Sequence, residues 1–107
     1  MIIIFDYNLE EAFIILKKCE DFKIIPHALN RINLREVKIE YIEKCLNSFE
    51  PLGINKTREN RFSLIYPHET RQSEDLYIII EINDFKEIEI ITIYTKSIWR
   101  RLREYAI

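Results

Sequence analysis

Leu76-Tyr77-Ile78-Ile79-Ile80-Glu81-Ile82-Asn83, followed after Asp84-Phe85-Lys86 by Glu87-Ile88-Glu89-Ile90-Ile91-Thr92-Ile93-Tyr94-Thr95, is the stretch that decides the fold. β-Branched and aromatic residues fill both runs, and the polar segment from Asn83 to Lys86 reads as the turn that joins them into an antiparallel hairpin. On the second run, strict alternation puts Ile88, Ile90, Thr92 and Tyr94 on one face and Glu89, Ile91, Ile93 and Thr95 on the other. Both faces are partly apolar, so this strand is expected to be central.

Working outward, Gly53 to Lys56 and Arg61 to Tyr66 read as two earlier strands, with Pro67 to Asp75 as a polar connection. Upstream the apolar period becomes helical. Asn8 with Glu11 three residues later forms a capping box for a helix from Leu9 to about Glu20. Phe22 to Ile25 is a short extended run closed by Pro26, because the residue before a proline avoids the helical region. A second helix opens near His27. Asn33 and Glu36 repeat the capping-box pattern, so a break and a restart at Leu34 are expected, the restart running to about Asn47 before Pro51 and Gly53. Met1 to Tyr7 reads as an N-terminal strand, and Ile98 to Tyr105 as a basic terminal helix capped by Ser97. The expected class is α+β. Three or four antiparallel strands form a meander joined by the N-terminal strand, with the N-terminal helices on one face and a short basic helix at the C-terminus.

Composition agrees with one domain. The chain has 107 residues, 48% hydrophobic and 32% charged, with one glycine and three prolines, which excludes a disordered or low-complexity protein. Its net charge of −2 argues against holding nucleic acid by bulk charge alone. The distribution is uneven: Asp6, Glu10, Glu11, Glu20 and Asp21 face only Lys17 and Lys18 early on, whereas Lys96, Arg100, Arg101 and Arg103 face Glu104 alone at the end. Cys19 and Cys45 lack metal-site spacing and fall in predicted helices, so both are expected as reduced, buried thiols. The apolar N-terminal run stops at Asp6, too short to be a signal peptide or to cross a membrane, and a cytoplasmic protein with no membrane association is expected.

The chemistry sits in Pro26-His27-Ala28-Leu29-Asn30-Arg31-Ile32-Asn33-Leu34-Arg35. A histidine and two arginines recur at four-residue intervals, which on a helix can bring all three to one face. Imidazole suits proton transfer near neutral pH, and guanidinium is a permanently charged fork that fits phosphate. The structural alternative is an exposed histidine on a solvated basic face. No glycine-rich phosphate loop, nucleophile elbow or metal-ligand cluster is present, so any catalysis is expected to be acid–base work with no metal and no cofactor.

His27-Ala28-x-x-Arg31-Ile32-x-x-Arg35, with Ile91-Thr92-Ile93-Tyr94 on the last strand and Arg100-Arg101-Leu102-Arg103-Glu104-Tyr105 at the end, resembles a family of small domains grouped with RelE-like and BrnT-like toxins. The resemblance runs from about Phe22 to Tyr105. It implies a small twisted antiparallel sheet packed by N-terminal helices, and a metal-independent endoribonuclease neutralised by a small antitoxin-like protein. The chain departs from the family pattern at Asn33-Leu34-Arg35, where the family usually has glycine.

Metal-free RNA cleavage needs a base for the 2′-hydroxyl, positive charge for the transition state and an acid for the leaving oxygen. His27 is the candidate acid or base and Arg31 the candidate charge stabiliser. Arg35, Lys56, Arg58 and Arg61 are candidate RNA contacts. Tyr94 can donate a proton or stack on a base, although a tyrosine on an apolar strand is more often core; Thr92 reads as a strand former, and His68 as exposed and without a role. Two other classes stay open: an inert module whose arginines bind nucleic acid or an acidic partner, and a structural partner protein that pairs through a strand edge or the terminal helix.

Overall fold

A computed structural model describes residues 6–100. Within them the chain is an α+β domain with helices α1 (Leu9–Lys18), α2 (Pro26–Leu34) and α3 (Ile39–Ser48), and strands β1 (Phe22–Ile24), β2 (Gly53–Arg58), β3 (Arg61–Pro67), β4 (Glu74–Ile82) and β5 (Ile88–Ser97). The sheet order is β1-β5-β4-β3-β2. The four later strands form the expected antiparallel meander. The fifth corrects the expectation of an all-antiparallel sheet: β1 lies parallel to β5, with Phe22, Lys23 and Ile24 opposite Ile88, Glu89 and Ile90, so the sheet is mixed.

The first helix forms where its caps say it should. The Asn8 side chain accepts from Glu11 N at 2.8 Å and the Glu11 carboxylate accepts from Asn8 N at 3.1 Å, the reciprocal bonds of a capping box. The expected box at Asn33 and Glu36 does not form, and α3 starts at Ile39 rather than Leu34. Asn33 lies in the last turn of α2, whose carbonyls need donors. Glu36 N bonds Asn33 O and Val37 N bonds Ile32 O, a Schellman closure in which Glu36 takes the left-handed conformation at φ 56°. The helix thus ends one residue beyond the predicted break. Arg35 N still donates to Arg31 O at 2.9 Å and stays in the helical register of His27 and Arg31.

All three helices bury their apolar stripes against one face of the sheet. Ala12, Ile15, Leu16, Ala28, Ile32, Ile42, Cys45 and Leu46 meet Phe62, Leu64, Tyr66, Leu76, Ile78, Ile80, Ile82, Ile88, Ile90 and Ile93 in one core. Each isoleucine buried there is worth roughly 1.5–3 kcal/mol of transfer free energy. The expected alternation along β5 holds only to Ile90. Ile80 pairs with Ile90 whereas Ile79 pairs with Thr92, so Ile91 is an extra residue, a β-bulge that inverts the faces beyond it. Ile90 and Ile93 consequently both face the core, and Thr92 and Tyr94 turn to the opposite face with Ile65, Tyr77 and Ile79. Within the sheet β5 is an interior strand, flanked by β1 and β4 as a central strand should be, and β4 is the middle strand of the five.

The expected N-terminal strand over 1–7 falls mostly outside the described residues. Asp6 and Tyr7 are irregular, and Tyr7 is tied to the β2–β3 turn by its N–H to Asn60 Oδ1 at 2.8 Å. Most of the expected terminal helix, with Arg101 and Arg103, also lies outside them; helical backbone begins at 98–100. Cys45 is fully buried, and Cys19 sits half-buried at the C-cap of α1. Among the described residues no helix is long and apolar enough to cross a membrane.

Candidate nucleic-acid interface

α2 owes its place to β1. Ile25 N donates to Ile90 O at 3.3 Å, continuing the β1–β5 ladder by one residue, and Pro26 then enters the helix at its first position, where no N–H is needed. From there the helix follows β5 toward the other end of the sheet: Glu36, just past its end, pairs with Arg71 in the β3–β4 connection, and that connection adjoins the end of β5 through Ile98 N to Ser73 O at 2.9 Å. Ala28 and Ile32 fix the inward face, being 0% and 1% exposed. His27, Arg31 and Arg35 are offset from them by one position and form a stripe about 12 Å long beside the core contact.

No carboxylate occurs from Phe22 to Arg35 except Glu36's neighbourhood beyond it, and Glu36, the next residue, is paired with Arg71. The first turn of α2 holds no acidic residue and no side-chain cap, so the positive end of the helix dipole lies beside the exposed His27. Neither Arg31 nor Arg35 makes an ion pair among the described residues; the Arg35 Nε is buried and without a hydrogen-bond partner there.

The other predicted contacts lie elsewhere. β2 stands three strand spacings from β5, about 14 Å, with α2 beyond β5. Lys56 projects to the helical side, but its ammonium bonds the Asp6 carboxylate and, at 2.8 Å, Tyr7 O, while stacking over Phe62 at 5.9 Å. It fastens the segment before α1. Arg61 lies on the opposite face of the sheet, its Nη2 held by Glu81 at 3.0 Å across β3 and β4. Arg58 is exposed beside the β2–β3 turn. Tyr94 is on the face away from α2, stacked on Tyr77 with ring centroids 5.0 Å apart. Of the seven residues singled out from the sequence, the fold brings together His27, Arg31 and Arg35 and separates Lys56, Arg58, Arg61 and Tyr94 from them.

His68, expected to be exposed, is buried at 9% exposure. Its polar neighbours misled because the loop folds back over the ring: Nδ1 accepts the N–H groups of Thr70 and Arg71, both at 3.1 Å. Close by, the core ends in a group of weak acids. Burial raises the thiol of Cys45 to about 12 and pushes the hydroxyls of Tyr41 and Tyr66 well above the usual phenol value. These groups are inert as proton shuttles at neutral pH. Among the described residues no group of three His, Cys, Asp or Glu side chains is placed to hold a metal ion. No family model, no curated protein and no solved structure matches the chain.

Proposed function

We propose that the chain is a cytoplasmic RNA-binding domain related to the RelE/BrnT-like toxins, and that the His27, Arg31 and Arg35 stripe of α2 is its phosphate contact. The observation that carries this reading is the contrast among the cations. Lys56 and Arg61 are committed to Asp6 and Glu81, whereas Arg31 and Arg35 make no ion pair among the described residues, and Glu36, which follows Arg35, is paired with Arg71. Uncommitted guanidinium groups at a helical spacing, on a helix whose positive end lies beside His27, suit the phosphates of a flexible single strand. Binding of a labelled single-stranded RNA tests it by fluorescence anisotropy at low salt. Arg31→Glu and Arg35→Glu should each weaken binding at least tenfold while Arg58→Glu changes it little. Absence of binding by the parent, or equal binding by the α2 variants, would remove the proposal.

A second reading keeps the toxin chemistry. His27 and Arg31 are one helical turn apart, so one phosphodiester can meet both an acid–base group and a fixed positive charge. Tyr94, on the other face, takes no direct part in a site built there. In this reading a small acidic antitoxin-like protein covers the basic end around Arg100, Arg101 and Arg103. Incubation of total RNA with chelator, scored for 2′,3′-cyclic phosphate ends, separates it from the first: cleavage lost in His27→Ala favours the nuclease, and binding without cleavage favours the module.

A further inference from the structure

The turn between β4 and β5 holds its largest apolar side chain out to solvent: Phe85 is 78% exposed. The backbone that presents it is tied down. Asn83 Oδ1 accepts from Phe85 N and Glu87 N at 2.9 Å each, and Asn83 O accepts from Lys86 N at 3.0 Å and from the Tyr7 hydroxyl at 3.1 Å. A ring carried on so fixed a turn loses little freedom when it docks.

One exposed phenylalanine means little by itself. Its neighbour Lys86, however, forms one wall of a cavity of about 230 Å³ against α1, where the other lining residues are Ile14, Ile15, Lys18 and Cys19. A space of about 150 Å³ can hold a benzene ring, so this one has room for a phenyl group. No carboxylate lines it, and neither Lys18 nor Lys86 makes an ion pair among the described residues. Two isoleucines beside two uncommitted ammonium groups suit an aromatic ring, and Lys17 already lies over Phe13 at 4.7 Å. The turn also supplies the matching charge. Asp84, next to Phe85, is exposed and makes no ion pair among the described residues.

We infer that the chain pairs with a second copy of itself through this surface, the Phe85 ring of each copy entering the cavity between Ile14, Ile15 and Lys86 of the other while each Asp84 meets the other copy's Lys18. Knob and cavity share one turn, so a two-fold arrangement makes both contacts twice. Charge complementarity selects a second copy as the occupant: ring and carboxylate are adjacent on the knob, as apolar wall and ammonium are adjacent in the cavity. Two inserted rings and the walls they cover bury roughly 600–1,000 Å² in all, which is below a standard stable interface. The dimer is therefore weak and forms at high concentration. It does not depend on RNA binding by α2.

Sedimentation equilibrium of the full chain, from micromolar to near-millimolar concentration, should show a reversible equilibrium between monomer and dimer. Phe85→Ser removes a ring that packs little within its own chain, so it should weaken dimerisation at least tenfold and leave the urea midpoint of the monomer unchanged. Asp84→Lys and Lys18→Glu should each weaken it as well. Both changes in one chain should recover most of that loss, because the swap restores opposite charges across the interface. In a mixture of isotope-labelled and unlabelled chains, filtered nuclear Overhauser effects should connect the Phe85 ring of one copy to the Ile14 and Ile15 methyl groups of the other. The inference is overturned if the chain stays monomeric throughout, if Phe85→Ser dimerises like the parent, if the double swap is no tighter than either single variant, or if a dimer forms without these contacts.

Discussion

Tyr77 and Tyr94 stack across β4 and β5 with an interplanar angle of 14°, and the ammonium of Lys96 lies 4.9 Å from the first ring centroid and 5.3 Å from the second. The pair sits on the sheet face opposite the helices, so the aromatic surface of Tyr94 is spent on its neighbour. Tyr94→Phe should leave stability and any RNA cleavage unchanged, because the stack needs the ring and not the hydroxyl. Tyr94→Ala should cost about 2 kcal/mol in urea unfolding, below the ~3–5 kcal/mol of a fully buried aromatic. A double-mutant cycle with Tyr77→Ala should give a coupling of about 0.5–1.5 kcal/mol. A Tyr94→Phe variant that folds normally but loses cleavage would return Tyr94 to the catalytic set.

How far the sequence could be read is clearest at places where one pattern occurs twice. Asn8 with Glu11 and Asn33 with Glu36 look alike, yet only the first is a cap, because Asn8 follows irregular chain and Asn33 lies inside a helix whose carbonyls still need closing. The meander was legible because turn chemistry and β-branched runs are local signals. β1 was not placed, since its partner β5 lies more than sixty residues away and nothing in Phe22 to Ile24 names it. The doublet Ile90-Ile91 was the available sign of the bulge, a break in alternation that strict period-two reading carried straight through. For the candidate site, helical spacing sufficed for His27, Arg31 and Arg35. It could not show that Arg61 faces away, or that the ring of His68 is folded under its own loop.

The β4–β5 turn has room for improvement at Lys86. Asn83 organises it, its Oδ1 accepting from Phe85 N and Glu87 N at 2.9 Å each, and Lys86 N donates to Asn83 O at 3.0 Å. Lys86 is then left at φ 63°, the position a glycine occupies in turns of this kind. Lys86→Gly should stabilise the domain by about 0.5–1 kcal/mol, the relief of left-handed strain less the entropy of glycine. Lys86→Ala, which keeps the Cβ, should give no gain. Equal denaturation midpoints for the glycine and alanine variants would show that the turn is not strained.

Alkaline pH should loosen the fold through Cys45. Burial holds its thiol neutral up to about 12, against an ordinary value of 9.0 that it regains on unfolding. Between these values the unfolded chain has released the proton and the native chain has kept it, so stability falls as pH rises. The loss approaches about 1.4 kcal/mol per pH unit from this one group. Tyr41 and Tyr66, shifted upward by burial as well, add to it at higher pH. Urea midpoints measured from pH 8 to pH 10.5 should decline less steeply in Cys45→Ala than in the parent, whatever the variant's constant deficit. Parallel slopes would show that the thiol ionises alike in both states.

The salt dependence of RNA binding gives the sharpest check on α2. Each phosphate neutralised on a single strand contributes about −0.7 to the slope of log K against log salt. If Arg31 and Arg35 each hold one phosphate, the parent's slope should be about −1.4. Arg31→Gln removes one contact and should lower the magnitude by about 0.7 as well as the affinity. Arg31→Lys keeps the charge and loses the planar fork, so the slope should stay near the parent's while affinity at any one salt concentration drops. That separation matters because a merely misfolded helix would change slope and affinity together in both variants. A parent slope near zero, or a slope unaltered in Arg31→Gln, would mean that α2 carries no phosphate and that its stripe is only a solvated helix face.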